Sequence, residues 1–254
     1  MKREFSMPSI YRKPWLWGSA LFALVGIPCT AQAALITNQT RIIHGSDKAS
    51  SSINVANPST RTYAAQAWVN TEADDITTPT PLLASPSLFR LAPNEEQIVK
   101  INRLPNDLPQ DRESLFFLNV QEIPQVEEDM QDNALTIALR TRLKVFYRPS
   151  QLKGQPQDHL KQLDWSLQKE GGQSYLVVNN PSPYHFTFGR VEIDVNGKKN
   201  RVETKAMAMP MDQQRYKLEF PVPPATATLT FTTINDYGGS TTAITVPLHD
   251  HIEP

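Results

Sequence analysis

The sequence runs to 254 residues, 39% hydrophobic and 20% charged, with 25 basic residues against 26 acidic ones and a formal net charge of −1. That balance lacks the basic footprint of a nucleic-acid binder. The lone cysteine, Cys29, excludes an internal disulfide, and there is no repeat or low-complexity tract.

Residues 1–33 read as a secretory signal. Lys2, Arg3, Arg12 and Lys13 form a basic start, Trp15 to Ile27 an apolar run, and Ala31-Gln32-Ala33 a small-x-small cleavage site. The apolar run is too short to span a bilayer, so no stable membrane insertion is expected. Cys29 follows Pro28, which is wrong for a lipid-anchor cysteine. Cleavage after Ala33 removes four basic residues and one acidic one, leaving 221 residues with a formal charge of −4. The cysteine leaves too, so the exported chain has neither a disulfide nor a thiolate metal ligand. It must be held by core burial and hydrogen bonding, for which it is large enough.

Beyond the signal no long amphipathic helix is visible. Short runs rich in β-branched and aromatic residues recur between turn signals: 52–56, 62–69, 97–101, 115–123, 173–178, 186–195, 216–220 and 227–234. Asn196-Gly197 marks a hairpin, because both residues readily adopt the positive φ angles of a type I′ turn. Pro at 21 positions against Gly at 10 fits many interrupted strands. The fold class is all-β, in sandwiches. Residues 149–158 lack strand periodicity and are rich in turn formers. A boundary there divides the exported chain into residues 34–149 and 150–254, each the size of one immunoglobulin-like sandwich.

The longest alternating stretch runs from Leu135 to Pro149. One side carries Leu135, Ile137, Leu139, Thr141, Leu143, Val145 and Tyr147; the other carries Arg140, Arg142, Lys144, Phe146 and Arg148 among smaller residues. Thirteen residues of strand would reach about 44 Å, too long for a small sandwich to cover. Either this is a long core strand, or Leu135, Ile137 and Leu139 stand exposed on an edge that invites pairing with another chain.

A search for chemistry returns nearly nothing: no nucleophile elbow, no zinc-protease motif, no phosphate-cradling loop. His249, His251 and Glu253 read as a frayed polar tail rather than metal ligands. Asp74-Asp75 reads as a solvated loop, and His44 and His185 as surface or core histidines. No enzyme and no cofactor is expected. Arg41, among Thr40, Ile42 and Ile43, and Lys144, between Leu143 and Val145, are cations set in apolar strands. They are either a carboxylate receiver or two solvated edge charges. Glu113, Arg148 and Asp236 form a second set, in which an arginine near the boundary can bridge carboxylates from both halves.

These residues lie in segments that resemble the PapD-like chaperones of pilus assembly by the chaperone–usher route, short-loop branch. The segments are Thr40–Ile43, Ala65–Val69, Leu108–Val120, Ile123-Pro124, Leu135–Pro149, Asn180–Tyr184 and Ile234–Gly239. The Arg-Glu-Ser-Leu-Phe and Leu-x-x-Phe-Tyr-Arg-Pro runs are the most specific. The resemblance implies two immunoglobulin-like sandwiches in a boomerang around a cleft. It implies that Arg41 and Lys144 hold the terminal carboxylate of a pilus subunit there. It further implies that Leu135, Ile137 and Leu139 belong to a strand lent to that subunit by donor-strand complementation. Glu113, Arg148 and Asp236 would be the interdomain charge network. The implied partners are pilus subunits, an adhesin and an outer-membrane usher, and the implied compartment is the periplasm. The chain departs from the pattern in lacking a cysteine pair in its second half and in reading His44-Gly-Ser-Asp47 after Ile43. The alternative, an exported sandwich serving as a structural or adhesive fibre component, would call for a free N-terminal donor segment and usually a cysteine pair.

Overall fold

The computed structural model describes residues 35–123, 137–221 and 227–250. Strands dominate, and among the described residues the one helical element is a 3-10 turn at Pro156–Gln162. No described helix is long and apolar enough to cross a membrane.

The first half holds β1 (Ile36–Thr37), β2 (Arg41–Gly45), β3 (Ser50–Ala56), β4 (Tyr63–Asn70), β5 (Leu82–Ser85), β6 (Leu88–Leu91), β7 (Glu96–Arg103), β8 (Ser114–Ile123) and β9 (Arg140–Arg148). They build one sheet in the order β1-β3-β7-β5 and a second in the order β2-β9-β8-β4-β6. The period-two alternation turns Ile53, Val55, Val99 and Ile101 of one sheet against Ala65, Ala67, Leu118, Val120, Leu143 and Val145 of the other. Burying that apolar surface is the main stabilising term.

The second half repeats the architecture with β10 (Asp164–Glu170), β11 (Gln173–Asn180), β12 (Phe188–Val195), β13 (Lys198–Arg201), β14 (Asp212–Leu218), β15 (Ala227–Thr233), β16 (Ile244–Pro247) and β17 (His249–Asp250). The sheet orders are β14-β11-β10-β17 and β13-β12-β15-β16. Its core centres on Trp165, whose ring lies 5.0 Å from Phe188 and 5.3 Å from Phe231. Asn196 and Gly197 turn β12 into β13 with φ of 53° and 84°, the left-handed pair that a type I′ turn needs. The fold is thus all-β, two immunoglobulin-like sandwiches in one chain.

Two readings need correction. The strand read from Leu135 begins at Arg140. Ile137 and Leu139 precede it at 67% and 46% exposure, although the Leu139 carbonyl still accepts from the Glu122 amide at 3.0 Å. Leu135 lies outside the described residues. At the other end, His249 is not frayed: β17 runs parallel to β10, with His249 opposite Ser166. His251 and Glu253 lie outside the described residues.

His44 is fully buried, stacked on Tyr147 at 18° and 5.9 Å, with Nδ1 3.0 Å from Ser51 Oγ and Nε2 without a partner among the described residues. Burial chiefly, then the charge of Arg103, depresses its pKa; the Lys48 backbone and the Asp47 charge oppose this, and the Lys48 charge adds to it. The unfolded chain therefore binds a proton that the folded one resists, and stability falls as pH drops below about 6.5. His44→Phe keeps the stack and is expected to flatten the decline in urea midpoint between pH 7.5 and pH 5. An unchanged decline would assign it to other groups.

Candidate functional site

β2 and β9 run parallel, in a register that sets Arg41 directly opposite Lys144. Neighbouring residues across a parallel pair face the same way, so two cations share one face at the end of the first sandwich. Arg41 is 9% exposed. Its Nη1 donates to the Ile234 carbonyl from the second sandwich at 3.0 Å, and its guanidinium lies 5.9 Å from the centre of the Phe146 ring. Its Nε has no partner among the described residues. Burial lowers its pKa, opposed by the charge of Asp236.

Lys144 Nζ donates to Thr187 Oγ1 at 3.0 Å. Its pKa is pushed down to about 8, first by burial and then by the Arg41 charge, with Glu72 opposing. Among the described residues neither Arg41 nor Lys144 is ion-paired. Two desolvated cations with donors to spare have the chemistry to receive an anion with two oxygens. Gly238 helps to close this end of the first sandwich. At φ 85°, it approaches Thr40 so closely that a Cβ would sit 2.4 Å from Thr40 Oγ1.

The backbone beside these cations is open on one side. β2 pairs with β9 only from Lys144 onward, whereas β8 pairs with β9 all the way from Tyr147 to Arg140. Among the described residues, Arg140–Leu143 therefore have a strand neighbour on one flank only. Ile137 and Leu139 continue the same edge. An exposed edge with apolar residues is a template for a strand from another chain.

Arg148 ends β9. Its Nε donates to Glu113 Oε1 at 2.7 Å, and Nη1 and Nη2 donate to the two Asp236 oxygens at 2.7 and 2.9 Å. The remaining Glu113 oxygen accepts from the His185 backbone N–H at 2.9 Å and lies 3.2 Å from His185 Nδ1. Tyr184 lies under the guanidinium at 5.3 Å. Burial works against the charge on Arg148, but the Asp236 and Glu113 contacts outweigh it and hold the pKa above its ordinary value.

The structure thus sets Arg41 beside Lys144, and Glu113 and Asp236 on Arg148. It leaves Ile137 and Leu139 on the exposed edge. Thr187 and His185 were not singled out as site residues by sequence. Their signal, weak and visible only afterwards, is their place directly after the Asn180–Tyr184 segment.

Two family models match the chain: pili and flagellar-assembly chaperone, PapD N-terminal domain, over residues 34–153, and pili assembly chaperone PapD, C-terminal domain, over residues 158–245. The probable fimbrial chaperone YadV of Escherichia coli K12 is 32% identical over 216 residues, covering 82% of this chain and 87% of that protein. The chaperone protein PapD of Escherichia coli is 34% identical over 186 residues, 72% of each chain. Among solved structures, the YadV chaperone superposes with a TM-score of 0.73 at 29% identity, covering 84% of this chain and 99% of that one. The Salmonella enterica SafB chaperone, solved in complex with the SafA pilin, shares the fold with a TM-score of 0.73 at 24% identity, covering 86% of this chain and 98% of that one. The chain belongs to the PapD family of pilus-assembly chaperones, a family of non-enzymatic chaperones consistent with a periplasmic site of action.

Proposed function

We propose that this chaperone captures a pilus subunit or tip adhesin by lending it the open edge of β9, while Arg41 and Lys144 receive the subunit's terminal carboxylate. A subunit that lacks its last strand exposes a core groove and unpaired backbone groups, and aggregates unless both are covered. Backbone hydrogen bonds along residues 137–143 supply affinity that tolerates sequence variation. Leu135, Ile137 and Leu139 enter the subunit's groove and the carboxylate anchor fixes the register. Glu113, Arg148 and Asp236 hold the angle between the sandwiches, whose boundary we place between Pro149 and Ser150. Residues 1–33 direct export to the periplasm and are removed there. The loaded chaperone then delivers its subunit to an outer-membrane usher.

The observation that carries this reading is the pair of adjacent, desolvated cations, without an ion pair among the described residues, at the inner end of a strand edge that no described strand covers. No nucleotide or metal is called for, since the strand and the carboxylate account for both affinity and placement.

Capture is expected to depend on pH in a defined direction. Free Lys144 loses its proton near pH 8, and a bound carboxylate raises that value. Binding therefore takes up a proton above about pH 8, and affinity falls by up to about tenfold per pH unit there. Titration calorimetry with a purified pilin from pH 6 to 10, in two buffers of different ionisation heat, measures the uptake. An affinity flat across that range would contradict the role of Lys144.

A further inference from the structure

The outer face of β9 carries three cations at two-residue spacing, Arg140, Arg142 and Lys144, and the chain itself occupies two of them. Arg140 grips Asp74 with both terminal nitrogens, Nη1 to Oδ1 at 3.2 Å and Nη2 to Oδ2 at 2.6 Å. Arg142 Nε lies 3.7 Å from Asp74 Oδ1. Arg142 also donates from Nη2 to the Thr71 and Glu72 carbonyls at 2.7 and 3.3 Å, and stacks 3.9 Å above the Phe117 ring.

Asp74 is itself held in place. Asn70 Nδ2 donates to its Oδ1 at 2.9 Å, and Asn119 Nδ2 on β8 donates to Asn70 Oδ1 at 2.9 Å. Its backbone takes φ 59°, and the loop beyond is braced by Thr77 and Thr78 amides donating to Asp75 Oδ1 at 2.9 and 2.6 Å. The hydrogen bond from Arg140 first, and that from Asn70 second, hold the Asp74 carboxyl below the usual carboxylate range.

The placement matters because strand pairing alone does not fix register. A slip of one residue reverses every side chain, but a slip of two restores the facing and moves the partner by about 6.8 Å. Arg142 stands one such step from Lys144, and Arg140 two. Three accessible cations would offer a terminal carboxylate three registers with the same facing.

We propose that Asp74 is a register-selecting residue: by occupying Arg140 and Arg142 from within the chain, it leaves Arg41 and Lys144 as the only capture point on this edge. The device works by removing competing registers, without strengthening the correct one. It rests on the capture function proposed above.

The test uses the exported chain and a synthetic nine-residue peptide of alternating valine and threonine ending in a free carboxylate, with its C-terminal amide as control. A photoreactive benzophenone side chain at the fifth position reports the register by cross-linking and mass spectrometry. The native chain is expected to bind the carboxylate at least about tenfold more tightly than the amide and to cross-link at one position. Asp74→Asn should add a second position nearer Arg140, shifted by two residues for capture at Arg142 or by four for capture at Arg140. Asp74→Glu should keep one, and Asp74→Asn combined with Arg140→Gln and Arg142→Gln should return to one. A single position in Asp74→Asn, with the carboxylate preference intact, would overturn register selection and leave the capture reading standing. So would a second position that survives loss of both arginines, which would mark damage to the loop. Equal binding of carboxylate and amide by the native chain would overturn the capture reading and this proposal with it.

Discussion

Lys144→Ala is expected to abolish subunit capture while leaving the chaperone folded. The lysine is desolvated beside Arg41, and its one hydrogen bond among the described residues goes to a threonine hydroxyl. A carboxylate arriving there gains a charge-assisted bond in a site largely shielded from water. Truncating one partner of such a pair typically costs about 2–5 kcal/mol, and 3 kcal/mol already corresponds to roughly a hundredfold in Kd. Folding should be unaffected, because the substitution also removes the repulsion between two neighbouring cations. Arg41→Ala should lose capture to a similar degree, but with some loss of stability. Arg41 also ties β2 to the Ile234 carbonyl and packs on Phe146. Co-purification with a pilin from a shared periplasm, alongside thermal unfolding of each variant, separates the two effects. Wild-type yield of the complex from Lys144→Ala would sink the proposal.

The second large effect is expected at Arg148. Removing its guanidinium strands Glu113, whose side chain is 1% exposed, and frees Asp236, which is partly solvated. Breaking a buried pair from one side typically costs about 3–5 kcal/mol. The lower end applies to Arg148→Ala, because Glu113 keeps the His185 amide and Asp236 can turn to water. The loss should fall on the docking of the two sandwiches rather than on either core. Arg148→Ala is therefore expected to split one unfolding transition into two by calorimetry and to broaden the interdomain distance measured between spin labels. Replacing Glu113 by glutamine as well should recover part of the loss, since no buried charge is then left unpaired. One sharp transition at the native midpoint would show that the network does not hold the sandwiches together.

How much of this could be read from the sequence depends on the range of the interaction. Period-two alternation marked most core strands, because which side a residue faces is a local property of a pleated chain. Asn196-Gly197 marked its hairpin for the same reason. The start of β9 was misplaced because alternation persists through Ile137 and Leu139, and alternation does not report whether a neighbouring strand is present. Arg41 and Lys144 are joined by a parallel register spanning more than a hundred positions, so pattern alone left them either a receiver or two solvated charges. Only the family resemblance favoured the former. Asp74 looked like a solvated loop residue because its charged partners lie 66 and 68 positions away, and His185 looked unremarkable because Glu113 lies 72 positions before it. Long-range polar pairing leaves no periodic trace, and the departures from the first reading concentrate there.

The most direct test of capture is a double-mutant cycle across the proposed contact. The same pilus subunit is prepared with a free terminal carboxylate and as its C-terminal amide, and the Kd of each is measured with native chaperone and with Lys144→Ala. Carboxylate anchoring predicts that amidation costs the native chaperone at least about tenfold, costs Lys144→Ala little or nothing, and that the two losses are strongly non-additive. Fully additive losses, or an amide captured as tightly as the acid, would contradict it.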